Sequence, residues 1–178
     1  MIKKLLFACL CTGSLFAVQA QKNTVLLGGS VGIESTKAPS TDAETQWSFN
    51  PMIGYQFNDS WTAGITAMVG GTKNVTVDKT SNFGVGPFLR YTKWASNTFA
   101  LYGQLQGVFG QSKSTVGNVE SKTNMMSIDL FPAVFINIKK NFGLNFNFGG
   151  ISFGSTKPTT GNASSTTTFG FNFGQTVN

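Results

Sequence analysis

From Asn23 onward the chain alternates, residue by residue, between an apolar column and an uncharged polar one. Between Thr45 and Phe57 one column reads Trp47, Phe49, Pro51, Ile53, Tyr55 and Phe57. The other reads Gln46, Ser48, Asn50, Met52, Gly54 and Gln56. Period-2 alternation sends successive side chains to opposite faces of a strand, into two chemically different surroundings. The pattern predicts eight strands, at 24–35, 45–57, 61–71, 82–92, 98–111, 124–138, 142–153 and 166–177. Each is long enough to meet the ~9–11 residues a tilted strand needs to cross a bilayer.

The polar column lacks the Lys and Glu of a water-facing sheet. Gly28, Ser30 and Gly32, then Thr62, Gly64 and Thr66, then Gly143, Asn145 and Asn147 are small groups suited to a narrow lumen. On an open sheet they would be weak strand formers, with no charge to discourage edge pairing. We therefore expect the apolar face to meet lipid and the polar face to fill the interior of a closed, antiparallel, up-and-down transmembrane barrel of eight strands. Periodicity alone also fits the inverse arrangement, a secreted soluble barrel with an apolar ligand inside.

The connections alternate in length. Those at 58–60, 93–97 and 139–141 are short, whereas 36–44, 72–81, 112–123 and 154–165 are longer and rich in Ser, Thr and Lys. Short periplasmic turns and long outer loops are the habit of outer-membrane barrels, so the four long loops are where an extracellular ligand would be met. With that orientation Tyr55, Trp61, Tyr91 and Trp94 fall at the periplasmic edge and Trp47 at the opposite one. Trp and Tyr favour such interfaces because the ring is half buried while its polar atom stays wet.

Composition agrees with a membrane rather than a soluble domain. Charged residues are 11% of the chain, against about 25% in ordinary soluble domains. Lys3 and Lys4, the apolar run Leu5–Val18 and the tripeptide Val18-Gln19-Ala20 read as a signal peptide over 1–20, leaving 21–178 as one barrel domain. Both cysteines, Cys9 and Cys11, lie inside that segment, so no disulfide or thiolate site is expected after cleavage. The formal charge of +6 is spread over lysines between strands. It forms no stripe that would track a phosphate backbone, and no nucleic-acid partner is expected.

This architecture resembles the small outer-membrane β-barrel family that includes the OmpA membrane domain and OmpX-like proteins. The resemblance covers the mature chain and rests on strand pattern rather than on a specific motif. It implies a Gram-negative outer-membrane location, outer-membrane lipid around the wall, and insertion by the barrel-assembly machinery. That machinery reads a final strand closing on an aromatic residue. Thr168-Phe169-Gly170-Phe171-Asn172-Phe173 looks like such a strand, although this chain continues to Val177-Asn178.

Chemistry is sparse. The chain has no histidine, which removes the usual general base, metal ligand and neutral-pH switch. By analogy, it also removes the His-dependent proteases and lipid deacylases of outer membranes. No hydroxyl has an evident base partner, so no catalytic, cofactor or metal site is expected. Asp42 and Glu44 share a loop and read as solvated charges. Gly28-Gly29-Ser30-Val31-Gly32 lacks the following Lys-Ser/Thr of a phosphate loop. Three charges fall on the inner face: Glu34, Arg90 and Asp129. A charge in a narrow lumen is costly unless compensated. We expect Asp129 to neutralise Arg90, with Gln104 and Gln106 extending the network. The chain thus reads as a non-enzymatic, porin-like outer-membrane barrel with a structural or surface-interaction role. The alternatives are transport of a small or hydrophobic solute through the lumen, or the soluble carrier.

Overall fold

The computed structural model describes residues 23–36, 44–74, 79–117, 119–139, 142–159 and 164–174. They form one antiparallel sheet of nine elements: β1 (Thr24–Thr36), β2 (Glu44–Gln56), β3 (Trp61–Asn74), β4 (Lys79–Trp94), β5 (Phe99–Val116), β6 (Val119–Lys139), β7 (Phe142–Asn147), β8 (Gly149–Pro158) and β9 (Thr166–Phe173). The order is sequential from β1 to β6 and then to β8 and β9, with β7 beside β8 on the same edge of β6. Apart from β7 and β8, which both pair with β6, consecutive strands pair with one another, as expected of an up-and-down meander. The signal segment, Asp42 and most of loop 36–44 lie outside the described residues.

Two features differ from the closed eight-strand expectation. The ninth element arises because the predicted strand at 142–153 is interrupted at Phe148. Between the pairs Ala133↔Asn147 and Leu130↔Ile151, Phe131 and Pro132 oppose Phe148, Gly149 and Gly150. Two residues against three is a β-bulge. Pro132 cannot donate to the ladder here, though its carbonyl accepts from Phe148 N at 3.3 Å. Gly149 takes the positive φ of +96° that the extra residue requires. The sheet is also not closed, because no ladder joins β1 to β9 among the described residues. β9 runs for only eight residues. The remainder of the predicted final strand, beyond 174, lies outside the described residues.

The strands are also longer than the pattern implied. The polar stretch at 112–123, expected as an outer loop, is mostly ladder, with Ser112↔Thr123, Lys113↔Lys122 and onward to Val116↔Val119. The predicted loop at 72–81 likewise contributes Thr72↔Thr80 and Lys73↔Lys79, and β8 runs to Pro158. Alternating Ser and Thr side chains keep the backbone free to pair even where no apolar face drives it. At this end of the sheet the connections between strands are reduced to 37–43, 75–78, 117–118 and 159–165.

Burial follows the two columns. Among the described residues, thirty-one large apolar side chains are exposed, including Ile33, Ile65, Leu101 and Phe171, while six apolar residues are buried. The buried set instead includes Gln56, Thr62, Thr66, Arg90 and Gln104. The apolar core is a small cluster of Ala100, Tyr102, Ala133 and Phe135 at the short-turn end, with Trp94 and Phe131 against it. Glycine makes the inner space. A Cβ at Gly143 would overlap the Phe135 ring, and one at Gly54 or Gly64 would meet the ring of Phe88.

Candidate functional site

The inner column of β4, β5 and β6 builds the site. Register sets Arg90 opposite Gln104, and Gln106 opposite Asp129. Residues directly opposite on one face are close enough for side chains to meet. Gln104 Oε1 accepts two hydrogen bonds from the Arg90 guanidinium, from Nε at 2.8 Å and Nη2 at 2.6 Å. Gln104 Nε2 donates to Gln106 Oε1 at 2.9 Å. Gln106 Nε2 then reaches Asp129 Oδ2 at 3.4 Å, beside Ser127 Oγ at 3.1 Å.

Arg90 and Asp129 therefore belong to one network without touching. Among the described residues the recorded ion pair is Lys122–Glu120 at 3.2 Å, on the surface. The expected direct neutralisation of Arg90 by Asp129 is replaced by a relay through two glutamines. The reason is register: Arg90 lies level with Gln104, whereas Asp129 lies level with Gln106, one inward step further along β5. Arg90 is compensated in other ways. Its Cζ stands 4.2 Å from the centroid of the Tyr102 ring and 5.8 Å from that of Phe88, within cation–π range. Nη2 also contacts Met52 Sδ at 3.3 Å. Sequence reasoning did not single out Tyr102, although its even position on β5 put it in the inner column with Gln104.

Glu34 is not part of this network. It is exposed near the far end of β1 and lines a separate cavity of about 330 Å³ with Gln46, Trp47 and Asn82. The charges expected together in the lumen thus divide into a linked pair and a distant third.

Arg90, Tyr102, Gln106 and Asp129 face a central cavity of about 440 Å³. Its opposite wall comes from Gly28 and Ser30 of β1 and from Asn145 and Asn147 of β7. The sheet therefore curls far enough for strands near its two edges to share one interior space. Asn50 Nδ2 bonds Ser30 Oγ across this wall at 3.1 Å, while Asn145 Oδ1 is buried with no hydrogen-bond partner. A neighbouring cavity of about 560 Å³ at the bulge shares Gln106, Asp129 and Asn147 with the first. Among the described residues, no three Asp, Glu, His or Cys side chains gather as a metal site would require.

The aromatics with polar tips divide as well. Tyr55, Trp61 and Tyr91 are exposed at the short-turn edge, with the Trp61 and Tyr91 rings edge to face at 5.0 Å. Tyr55 Oη donates to Asn23 Oδ1 at 2.9 Å. Trp47 is exposed toward the other end. Trp94 differs from the expected interfacial placement. It stands opposite the buried Ala100, and its ring meets Phe135 edge to face at 5.8 Å. Its position has the same parity as Arg90, so β4 turns it into the lumen cluster. Compared with known proteins, the chain matches no family model, no curated sequence and no solved structure.

Proposed function

We propose that this chain is an integral outer-membrane β-barrel of eight staves, β7 and β8 forming one of them, closed by pairing of its first and last strands. One observation carries this reading: the outer column is apolar and exposed along the sheet, while the buried side chains include the polar Gln56, Thr62, Thr66, Arg90 and Gln104. Soluble monomers rarely expose contiguous apolar patches of more than a few hundred Å². Lipid removes that penalty, and strands in a closed barrel satisfy their backbone groups without water. The same observation argues against the soluble carrier, which needs its apolar column inside. The shared cavity between β1 and β7 supports closure.

In this reading the short-turn end faces the periplasm and the hairpin end faces outward. The likeness to OmpA- and OmpX-type barrels rests on this architecture alone. The role is non-enzymatic. It is structural, or it is exercised through the outer hairpin tips, where Val116 and Val119 stand exposed at the end of the longest ladder. The central cavity favours a second role, handling a small solute within the lumen.

Membrane fractionation of the expressed chain, followed by gel mobility of the detergent extract with and without boiling, tests the proposal. Outer-membrane recovery with a heat-dependent mobility shift is the expected result. Recovery in a soluble fraction with one mobility would overturn it.

A further inference from the structure

We propose that the central lumen cavity is a binding site for a small zwitterion carrying a carboxylate at one end and an ammonium at the other. The site deepens the barrel reading and rests on it. Its volume of about 440 Å³ falls within the ~300–1,000 Å³ of ordinary small-molecule pockets. What distinguishes it is a pair of opposite charges on one lining, each without an ionic partner among the described residues.

Arg90 is only 7% exposed, yet its acceptor is a neutral amide oxygen. No carboxylate lies within ion-pair distance of it among the described residues. Its bonds to protein run from Nε and Nη2, which leaves the two N–H groups of Nη1 for a ligand. Asp129 receives only neutral donors, Gln106 Nε2 and Ser127 Oγ.

The glutamine relay explains why the two charges do not collapse onto each other. Gln104 and Gln106 bond to one another and to one charge each. Arg90 and Asp129 stand on opposite sides of β5 at levels two residues apart along it, a step of about 7 Å at the usual strand rise. A simple anion would satisfy Arg90 and leave Asp129 bare, and a simple cation would do the reverse. A molecule with both groups compensates both charges and remains neutral overall. Buried charges are stabilised by such pairing, and fixed groups bind without an ordering cost. The carboxylate would sit on Arg90 Nη1, and the ammonium on Asp129.

The test is calorimetric titration of the intact chain, purified in detergent micelles, with 5-aminopentanoate and 6-aminohexanoate. Pentanoate and pentylamine serve as single-charge controls. The expected result is saturable binding of an ω-amino acid, at least tenfold tighter than either control. Arg90→Met and Asp129→Asn each weaken it at least tenfold, while Glu120→Gln, on the outer hairpin, leaves it unchanged. Absence of saturable binding, or equal binding of the controls, overturns the site, and this wild-type comparison decides without any variant. Heat-dependent gel mobility is recorded on the same samples. A mobility shift without binding overturns the site alone, whereas a wild-type chain with no shift overturns the barrel reading and the site with it.

Discussion

Gln104, with none of its surface exposed, presents a single side-chain oxygen to two N–H groups of Arg90, at 2.8 and 2.6 Å. A neutral residue is thus the direct partner of the most deeply buried charge among the described residues. The acceptor needed by Arg90 is also the anchor of the relay to Asp129. This makes Gln104, rather than the carboxylate, the keystone of the interior.

Replacing Gln104 by Leu removes that acceptor and leaves the buried guanidinium with only the Tyr102 and Phe88 rings and the Met52 sulfur as partners. A loss of about 2–4 kcal/mol in unfolding free energy is expected, the scale for stripping the partner from a buried charge. Adding Arg90→Met to Gln104→Leu should recover at least about 1 kcal/mol relative to the sum of the single effects, because contacting residues do not act additively. Urea unfolding of the chain reconstituted in lipid vesicles measures both. Simple additivity would show that the pair makes no energetic contact.

Inner glycines are expected to resist even a methyl group where an aromatic ring occupies the space. Gly143→Ala pushes a Cβ into the Phe135 ring, and overpacking of this kind costs about 1–3 kcal/mol. Gly103→Ala is the control, since nothing lies within 4 Å of its added carbon. It should be neutral in the same unfolding assay. Equal effects at the two positions would contradict the packing described for the lumen.

A charge on the outer column discriminates lipid from water. Ile65 is 55% exposed near the middle of β3. In water Ile65→Lys should change stability by no more than about 0.5 kcal/mol. Against hydrocarbon at mid-depth it should cost about 2–4 kcal/mol, while Ile33→Lys near the end of β1 should cost no more than about 1. Flat costs along the strand in vesicle unfolding would place the outer face in water.

The three tryptophans report separately on orientation. Trp47 and Trp61 are exposed on the outer face, whereas Trp94 packs against Phe135. In single-tryptophan variants reconstituted with brominated acyl chains, fluorescence of Trp47 and Trp61 should be quenched and that of Trp94 retained. Quenching of Trp94 as strong as that of Trp61 would return it to the interfacial belt.

Pro51, Pro87 and Pro132 show how the sheet accommodates residues that cannot donate to a ladder. The β2–β3 pairing skips Asn50 and Pro51, the β4–β5 pairing skips Gly86 and Pro87, and the ladder on β6 breaks at Pro132. In each case one side of the strand gives way and the other stays paired. All three sit in the outer column, where a missing side-chain contact costs the interior nothing.

Alternation within each strand was enough to sort the residues into two columns, because side-chain direction repeats every two residues whatever the neighbours are, and the small uncharged groups of the polar column marked it as the inner one. It placed Ile65 and Phe171 outside, and Arg90, Gln104 and Asp129 inside. It did not distinguish ladder from loop at 112–123, where polar residues on both faces erase the periodic signal but leave backbone pairing intact. Nor did it identify which inner residues meet. That Arg90 rests on Gln104 and Tyr102 rather than on Asp129 depends on how far each strand slides past the next, and a shift of two residues keeps every side chain on its face. The bulge opposite Pro132 has the same origin: an extra residue is defined only against a partner strand. Face is a local property of one strand, whereas contact is a property of the register between strands, and only the assembled sheet holds it.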